Sequence, residues 1–115
     1  MKHYMHLHDE PYKKIESGTK TIEMRLYDEK RRTMHKGDII EIENRVTGQK
    51  MEVEIVQMYP FSSFADIYSR WDKIALGYEE GEVAKPEDME QYYPKEEIDS
   101  FGVVAIELKV IRTNI

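Results

Sequence analysis

Gly18-Thr19-Lys20-Thr21-Ile22-Glu23-Met24-Arg25 holds a helix stop, a turn and a strand start in one short stretch, and the rest of the chain is read outward from it. Successive strand side chains point to opposite sides, so Ile22, Met24 and Leu26 fall on one face and Thr21, Glu23, Arg25 and Tyr27 on the other. Lys20 then stands at the mouth of the strand, with Glu23 and Arg25 just inside. On the residues alone this reads as a solvated strand: Glu23 and Arg25 are exposed same-face neighbours of small energetic weight, and Lys20 is a turn residue.

Upstream, Lys2 to Leu7 alternates weakly, with Tyr4, His6 and His8 on one side and His3, Met5 and Leu7 on the other, which predicts a first strand. Asp9 is the expected N-cap of a short helix over Glu10 to Ser17. Pro11 sits in its first turn, Gly18 offers a left-handed stop, and Tyr12 and Ile15 form its packing side. Downstream, the charged run Asp28-Glu29-Lys30-Arg31-Arg32 leads to a turn at Gly37-Asp38. Ile39 to Arg45 and Met51 to Tyr59 then form a hairpin around Thr47-Gly48-Gln49. In the return strand Met51, Val53, Ile55 and Gln57 share one face. Pro60-Phe61-Ser62-Ser63 opens a helix, with a serine as N-cap and Phe61 as a hydrophobic staple. Its inward stripe is Phe64, Ile67, Tyr68 and Trp71. Residues 78 to 99 are acidic and hold two short helices opened by Pro86 and Pro94. Val103 to Ile111 closes the chain as a strand with Val104, Ile106, Leu108 and Val110 inward.

A chain of 115 residues with 40% hydrophobic and 35% charged residues supports one domain over residues 1–115, with one modest core. These elements predict an α+β fold of about five or six strands with short helices between them, a sheet short enough to curl into a barrel. The run Phe101 to Ile106 is too short to cross a bilayer, and no leader-like segment opens the chain, so a cytoplasmic location without membrane contact is expected. Without cysteine, disulfides and thiolate chemistry are excluded.

The net charge of −6 argues against broad nonspecific nucleic-acid binding. Its distribution is uneven: residues 1–57 carry eleven basic and eleven acidic side chains, residues 58–115 six and twelve. An amino-terminal cationic face and an acidic interaction surface over the second half are both open on this pattern. Phosphate loops, nucleophile elbows and zinc-protease motifs are absent, so no cofactor is expected. His6 and His8 share a strand face, but neither His3 nor His35 is fixed as a third ligand, so no metal is assigned.

The stretch from Gly18 to Arg25 resembles the GxKxxExR signature of the ASCH domain family, whose members share a PUA-like mixed β-barrel. The preceding Ile15-Glu16-Ser17-Gly18, the turn Lys36-Gly37-Asp38-Ile39-Ile40, the Phe61 to Trp71 helix before Leu76-Gly77, and the closing Gly102 to Leu108 strand also resemble the family's order of elements. The resemblance implies binding of RNA or a nucleotide-like ligand in a cleft beside the signature, through Lys20, Glu23 and Arg25. Charge-assisted donors on Lys20 and Arg25 suit phosphates or base edges, and Glu23 accepts from an amine or holds Arg25.

One branch of the family, the small N4-acetylcytidine amidohydrolases, is similar in size. Its lysine matches Lys20, whereas its threonine stands where this chain has Glu23, and its loop glutamate corresponds loosely to Glu79 or Glu80. An amidohydrolase of acylated nucleosides is therefore the alternative. In it Glu23 or Glu79 activates a water and Lys20 stabilises the oxyanion.

Overall fold

The alternation at the amino terminus forms strand β1 (Lys2–Leu7), with His3, Met5 and Leu7 turned inward, in a computed structural model that describes residues 1–115. Helix α1 (Asp9–Ser17) follows and buries Tyr12 and Ile15. Gly18 stops it at φ 88°, and its N–H donates to the Ile15 carbonyl at 3.0 Å. This backbone geometry favours glycine because a side chain there is strained. Asp9 is the first residue of α1, and His8 occupies the capping position instead. The Asp9 carboxylate accepts from Asn44 Nδ2 at 2.9 Å and pairs with Lys13 at 3.1 Å, which fastens α1 to the sheet.

Strand β2 (Ile22–Leu26) and the single turn α2 (Glu29–Arg32) precede the hairpin of β3 (Ile39–Asn44) and β4 (Lys50–Phe61). Helices α3 (Phe64–Arg70) and α4 (Lys73–Leu76), a 3-10 helix (Pro86–Gln91) and α5 (Lys95–Phe101) lead to the last strand, β5 (Val103–Thr113). Five strands lie in the order β1-β3-β4-β5-β2, with β1 and β3 parallel and every other pair antiparallel. The sheet curls into a half-barrel flanked by short helices, the α+β arrangement expected from the sequence pattern and the PUA-like fold that the family resemblance implies. Its two edges are β1 and β2.

Two irregularities in the β4–β5 ladder change the simple alternation. Ile55 pairs with Leu108 but Gln57 pairs with Glu107, so Val56 is an extra residue on β4. A bulge of this kind bends the strand and flips every side chain beyond it. Met58, rather than Gln57, therefore continues the face begun by Met51, Val53 and Ile55, while Tyr59 and Phe61 pack on the other side. Pro60 and Phe61 belong to β4 and not to the following helix. Ser63 stands at the N-terminus of α3, but its hydroxyl bonds the Asp66 carboxylate at 3.3 Å and caps no backbone amide.

Apolar side chains fill both faces of the sheet. On one, α1 places Tyr12 and Ile15 against Met5, Ile40, Ile42, Val53, Val104 and Ile106. On the other, Phe64 and Ile67 of α3, Leu76 of α4 and Met89 pack on Ile22, Met24, Leu26, Val103 and Ala105. The first half of β5 is thus buried on both faces, where the sequence suggested one. Trp71 closes the second layer edge-on to Tyr59 at 4.9 Å and to Phe61 at 6.2 Å between ring centroids. No helix is long and apolar enough to cross a membrane.

Candidate nucleotide-binding cleft

Strand β2 pairs with no strand but β5 and so forms one edge of the sheet, and β1 forms the opposite edge. A cleft of about 720 Å³ opens where these edges approach, lined by residues of both strands, of α1, and of the segment from Leu76 to Tyr93. Lys20, Glu23 and Arg25 all lie in its lining. In the β2–β5 ladder Glu23 stands opposite Ile106 and Arg25 opposite Val104, on the face packed by α1.

These side chains are not solvated. Lys20 and Glu23 are each only 6% exposed, and side-chain exposure of Arg25 is 19%. The solvated reading of the strand is corrected because α4 and the Leu76–Tyr93 segment cover the edge that an isolated alternation leaves open to water.

Lys20 has three N–H donors and all are engaged: Nζ donates to the Ile22 carbonyl at 2.8 Å and the Leu76 carbonyl at 2.9 Å, and pairs with Glu23 Oε1 at 3.3 Å. Leu76 is the last residue of α4, so the ammonium satisfies a helix C-terminal carbonyl and ties that helix to β2. The Thr21 N–H repeats the tie by donating to the Ala75 carbonyl at 3.0 Å. Gly77 at φ 108° lets the chain turn against the lysine stem, because a Cβ there would stand 3.0 Å from Lys20 Cδ.

Glu23 is the hub. Its Oε2 accepts from Arg25 Nε at 3.1 Å and Nη2 at 2.8 Å, while Oε1 faces Lys20. Burial pushes the Glu23 carboxyl up, but the Lys20 ammonium and Arg25 guanidinium reverse the direction and hold it below the ordinary carboxylate range. Burial likewise works against the charge on Arg25, and Glu23 overcomes it and raises the guanidinium further. No carboxylate or carbonyl accepts from Arg25 Nη1, and the nearby Tyr93 phenol adds to the groups that favour the charged guanidinium. Among these three side chains, Arg25 alone keeps donors that no carboxylate or carbonyl engages.

The wall opposite comes from residues the sequence reading did not single out as a site. Tyr68, Tyr78, Asp88, Tyr92 and Tyr93 all line the cleft. Tyr93 stacks on Phe64 with 6.0 Å between centroids, which anchors this wall to the second core layer. Lys73 Nζ donates to the carbonyls of Glu80 and Glu82 at 2.6 Å each and shapes the loop between α4 and the 3-10 helix. Glu79 is 66% exposed and does not line the cleft; its carboxylate lies 3.6 Å from Lys14 Nζ. Glu80 is also outside the lining, whereas Glu82 is part of it. His6 and His8 reach the rim, and no cluster of three metal-ligating side chains forms anywhere in the chain.

The ASCH domain family model matches residues 5–112, nearly the whole chain. The chain belongs to the ASCH domain family. This ASCH domain is similar to hypothetical protein PH0355, with 34% identity over 96% of this chain and 100% of that one, at a TM-score of 0.81. It is also similar to protein PF0455 from Pyrococcus furiosus, with 31% identity, coverage of 96% and 98%, and a TM-score of 0.70. An ASCH protein from Zymomonas mobilis, solved as an S128A mutant, shares the fold at 18% identity, with coverage of 97% and 72% and a TM-score of 0.66. No curated protein matches the chain.

Proposed function

We propose that this ASCH domain is a binding module that holds RNA or a nucleotide-like ligand in the cleft beside Lys20, Glu23 and Arg25. The observation that carries this reading is the division of labour among the three. Lys20 and Glu23 are locked into the protein, and Arg25 alone has donors left for a ligand. A planar guanidinium fixed by its own carboxylate is preorganised to meet a phosphate or a base edge. The tyrosine-lined wall adds flat surfaces of the kind on which bases stack.

Titration of the protein into a fluorescein-labelled single-stranded RNA tests this. Binding is expected to show a shallow salt slope, because few phosphates are met, and Arg25→Ala should weaken it roughly tenfold or more. Salt-insensitive binding that survives Arg25→Ala would defeat the reading.

Hydrolysis of an acylated nucleoside is the second reading, and the geometry makes specific demands on it. Lys20 would have to release a backbone carbonyl or Glu23 to reach an oxyanion, and Glu79 would have to leave Lys14 and enter from outside. Release of cytidine from N4-acetylcytidine by the wild type, lost in Lys20→Ala, would establish it against the binding module.

A further inference from the structure

Tyr68, Tyr78 and Asp88 form a continuous hydrogen-bonded chain in the cleft wall. The Tyr78 hydroxyl lies 2.7 Å from Asp88 Oδ2, and the Tyr68 hydroxyl lies 2.7 Å from that of Tyr78. Chemistry fixes the direction of every proton in it. A carboxylate only accepts, so Tyr78 donates to Asp88. The Tyr78 oxygen, its proton committed, then accepts from Tyr68. Tyr68 has one proton, now directed at Tyr78, so its oxygen faces anything else with lone pairs alone.

No protein group donates to that oxygen, although the ring is partly buried and lines the cleft. Burial and the two hydrogen bonds push the Tyr78 phenol far above its ordinary range, so the chain keeps its protons throughout neutral pH. The backbone N–H of Lys85 also donates to Asp88 Oδ2, at 3.3 Å, which fixes the carboxylate on the 3-10 helix.

We propose that this chain makes Tyr68 an obligate hydrogen-bond acceptor, so that the cleft selects nucleobases offering an exocyclic amine to it. The selection rests on the nucleotide reading above and adds a second polarity to it. Arg25 presents only donors and Tyr68 only an acceptor, so a ligand spanning them carries an acceptor at one end and an N–H at the other. Tyr68 touches the ligand, and Tyr78 and Asp88 are positioning residues that set its polarity.

Calorimetric titration with cytidine and adenosine, each beside its dimethylated amine (N4,N4-dimethylcytidine and N6,N6-dimethyladenosine), tests the proposal. The wild type should bind at least one parent nucleoside about tenfold more tightly than its dimethyl form, the scale of one hydrogen bond to a buried acceptor. Tyr68→Phe should erase the ratio. Tyr78→Phe tests direction: it removes the acceptor that holds the Tyr68 proton, which is then free to turn into the cleft, so the ratio should fall toward one. A purely structural role for Tyr78 would weaken both ligands equally and leave the ratio standing.

A preference that survives Tyr68→Phe or Tyr78→Phe in a folded variant overturns the inference, as does equal binding of both forms by the wild type. Nucleoside binding that is lost in Arg25→Ala but blind to the amine would overturn this inference and leave the proposed function intact. Failure of RNA and of all four nucleosides to bind would remove both. If Tyr68→Phe does not fold, the Tyr78→Phe ratio alone decides the inference.

Discussion

Two cation–carboxylate networks lie on this one sheet, and they differ in almost everything except their chemistry. At the edge of β2, Glu23 bridges Lys20 and Arg25 in near-complete burial. Across β1, β3, β4 and β5, Lys2 lies 3.1 Å from Glu41 and 3.0 Å from Glu52, and Arg112 reaches Glu52 at 2.9 Å. There the cations are 42% and 62% exposed, so water and salt compete for them. Glu23 and Arg25 alternate on one strand, and Glu52 stands directly across the ladder from Arg112, so local placement alone does not tell the two networks apart. What separates them is the cover: α4 and the Leu76–Tyr93 segment lie over one, whereas in the other only the carboxylates are sheltered and the cations stand in solvent. A buried charge is held by its partners or not at all, and a solvated one is merely assisted by them.

The sharpest way to break this contrast is Glu23→Gln. It leaves Lys20 and Arg25 facing each other without a neutralising charge, and should cost about 3–5 kcal/mol in urea unfolding. A loss below about 1 kcal/mol would place Glu23 in the solvated class after all. Lys20→Met comes next, at about 2–3 kcal/mol, because it strips the Ile22 and Leu76 carbonyls of their donor while Arg25 still pairs with Glu23.

A third carboxylate, Asp38, stands just before β3 on the β1 side of the sheet. It accepts from His3 Nε2 at 2.8 Å, from the His35 N–H at 3.0 Å and from the amino-terminal ammonium at 3.3 Å. The His3 hydrogen bond leads in lowering its pKa from 3.8 to about 2, with burial opposing. A depressed carboxyl stabilises the fold at every pH above its unfolded value. That contribution should therefore be whole above about pH 4 and lost on acidification toward pH 2. Asp38→Asn should flatten this limb of the stability–pH curve, and an unchanged acid limb would show that Asp38 is not a source of it. The smallest effect is expected from Glu52→Gln on the open network. It should move the urea midpoint much less than Glu23→Gln and lose even that at high salt. A salt-independent effect would erase the contrast from the other side.

Much of the scaffold was legible because it rests on local chemistry. Gly18 stops α1 for backbone reasons, the Lys2 to Leu7 alternation shows a half-buried strand, and the stripe of Phe64 and Ile67 shows which side of α3 packs inward. The parts that escaped depend on contacts made across the chain. Val56 carries no mark of a bulge, since only its mismatch with β5 makes it extra. The burial of Glu23 depends on α4, more than forty residues away in sequence. Lys20, Glu23 and Arg25 could be named from the signature spacing, but which of them keeps unengaged donors is decided by Ile22 and Leu76 carbonyls that no motif encodes. Tyr68 read as a core aromatic and Tyr78 as the start of an acidic loop. They meet at Asp88 only because α3 and the 3-10 helix pack together.

The single partnership of β2 also fixes an order of events during synthesis. Ile22 pairs with Glu107 and Leu26 with Val103, so the signature strand is among the first segments made and among the last to be paired. Pairings between distant segments are slow to form because a long loop must close first. While β1, α1, β3 and β4 can associate on a nascent chain, β2 must wait, with Lys20 and Glu23 still hydrated, until the end of the chain arrives. A chain arrested before Val103 holds Lys20, Glu23 and Arg25 but not the strand that pairs with theirs, and so lacks the ladder on which the cleft is built.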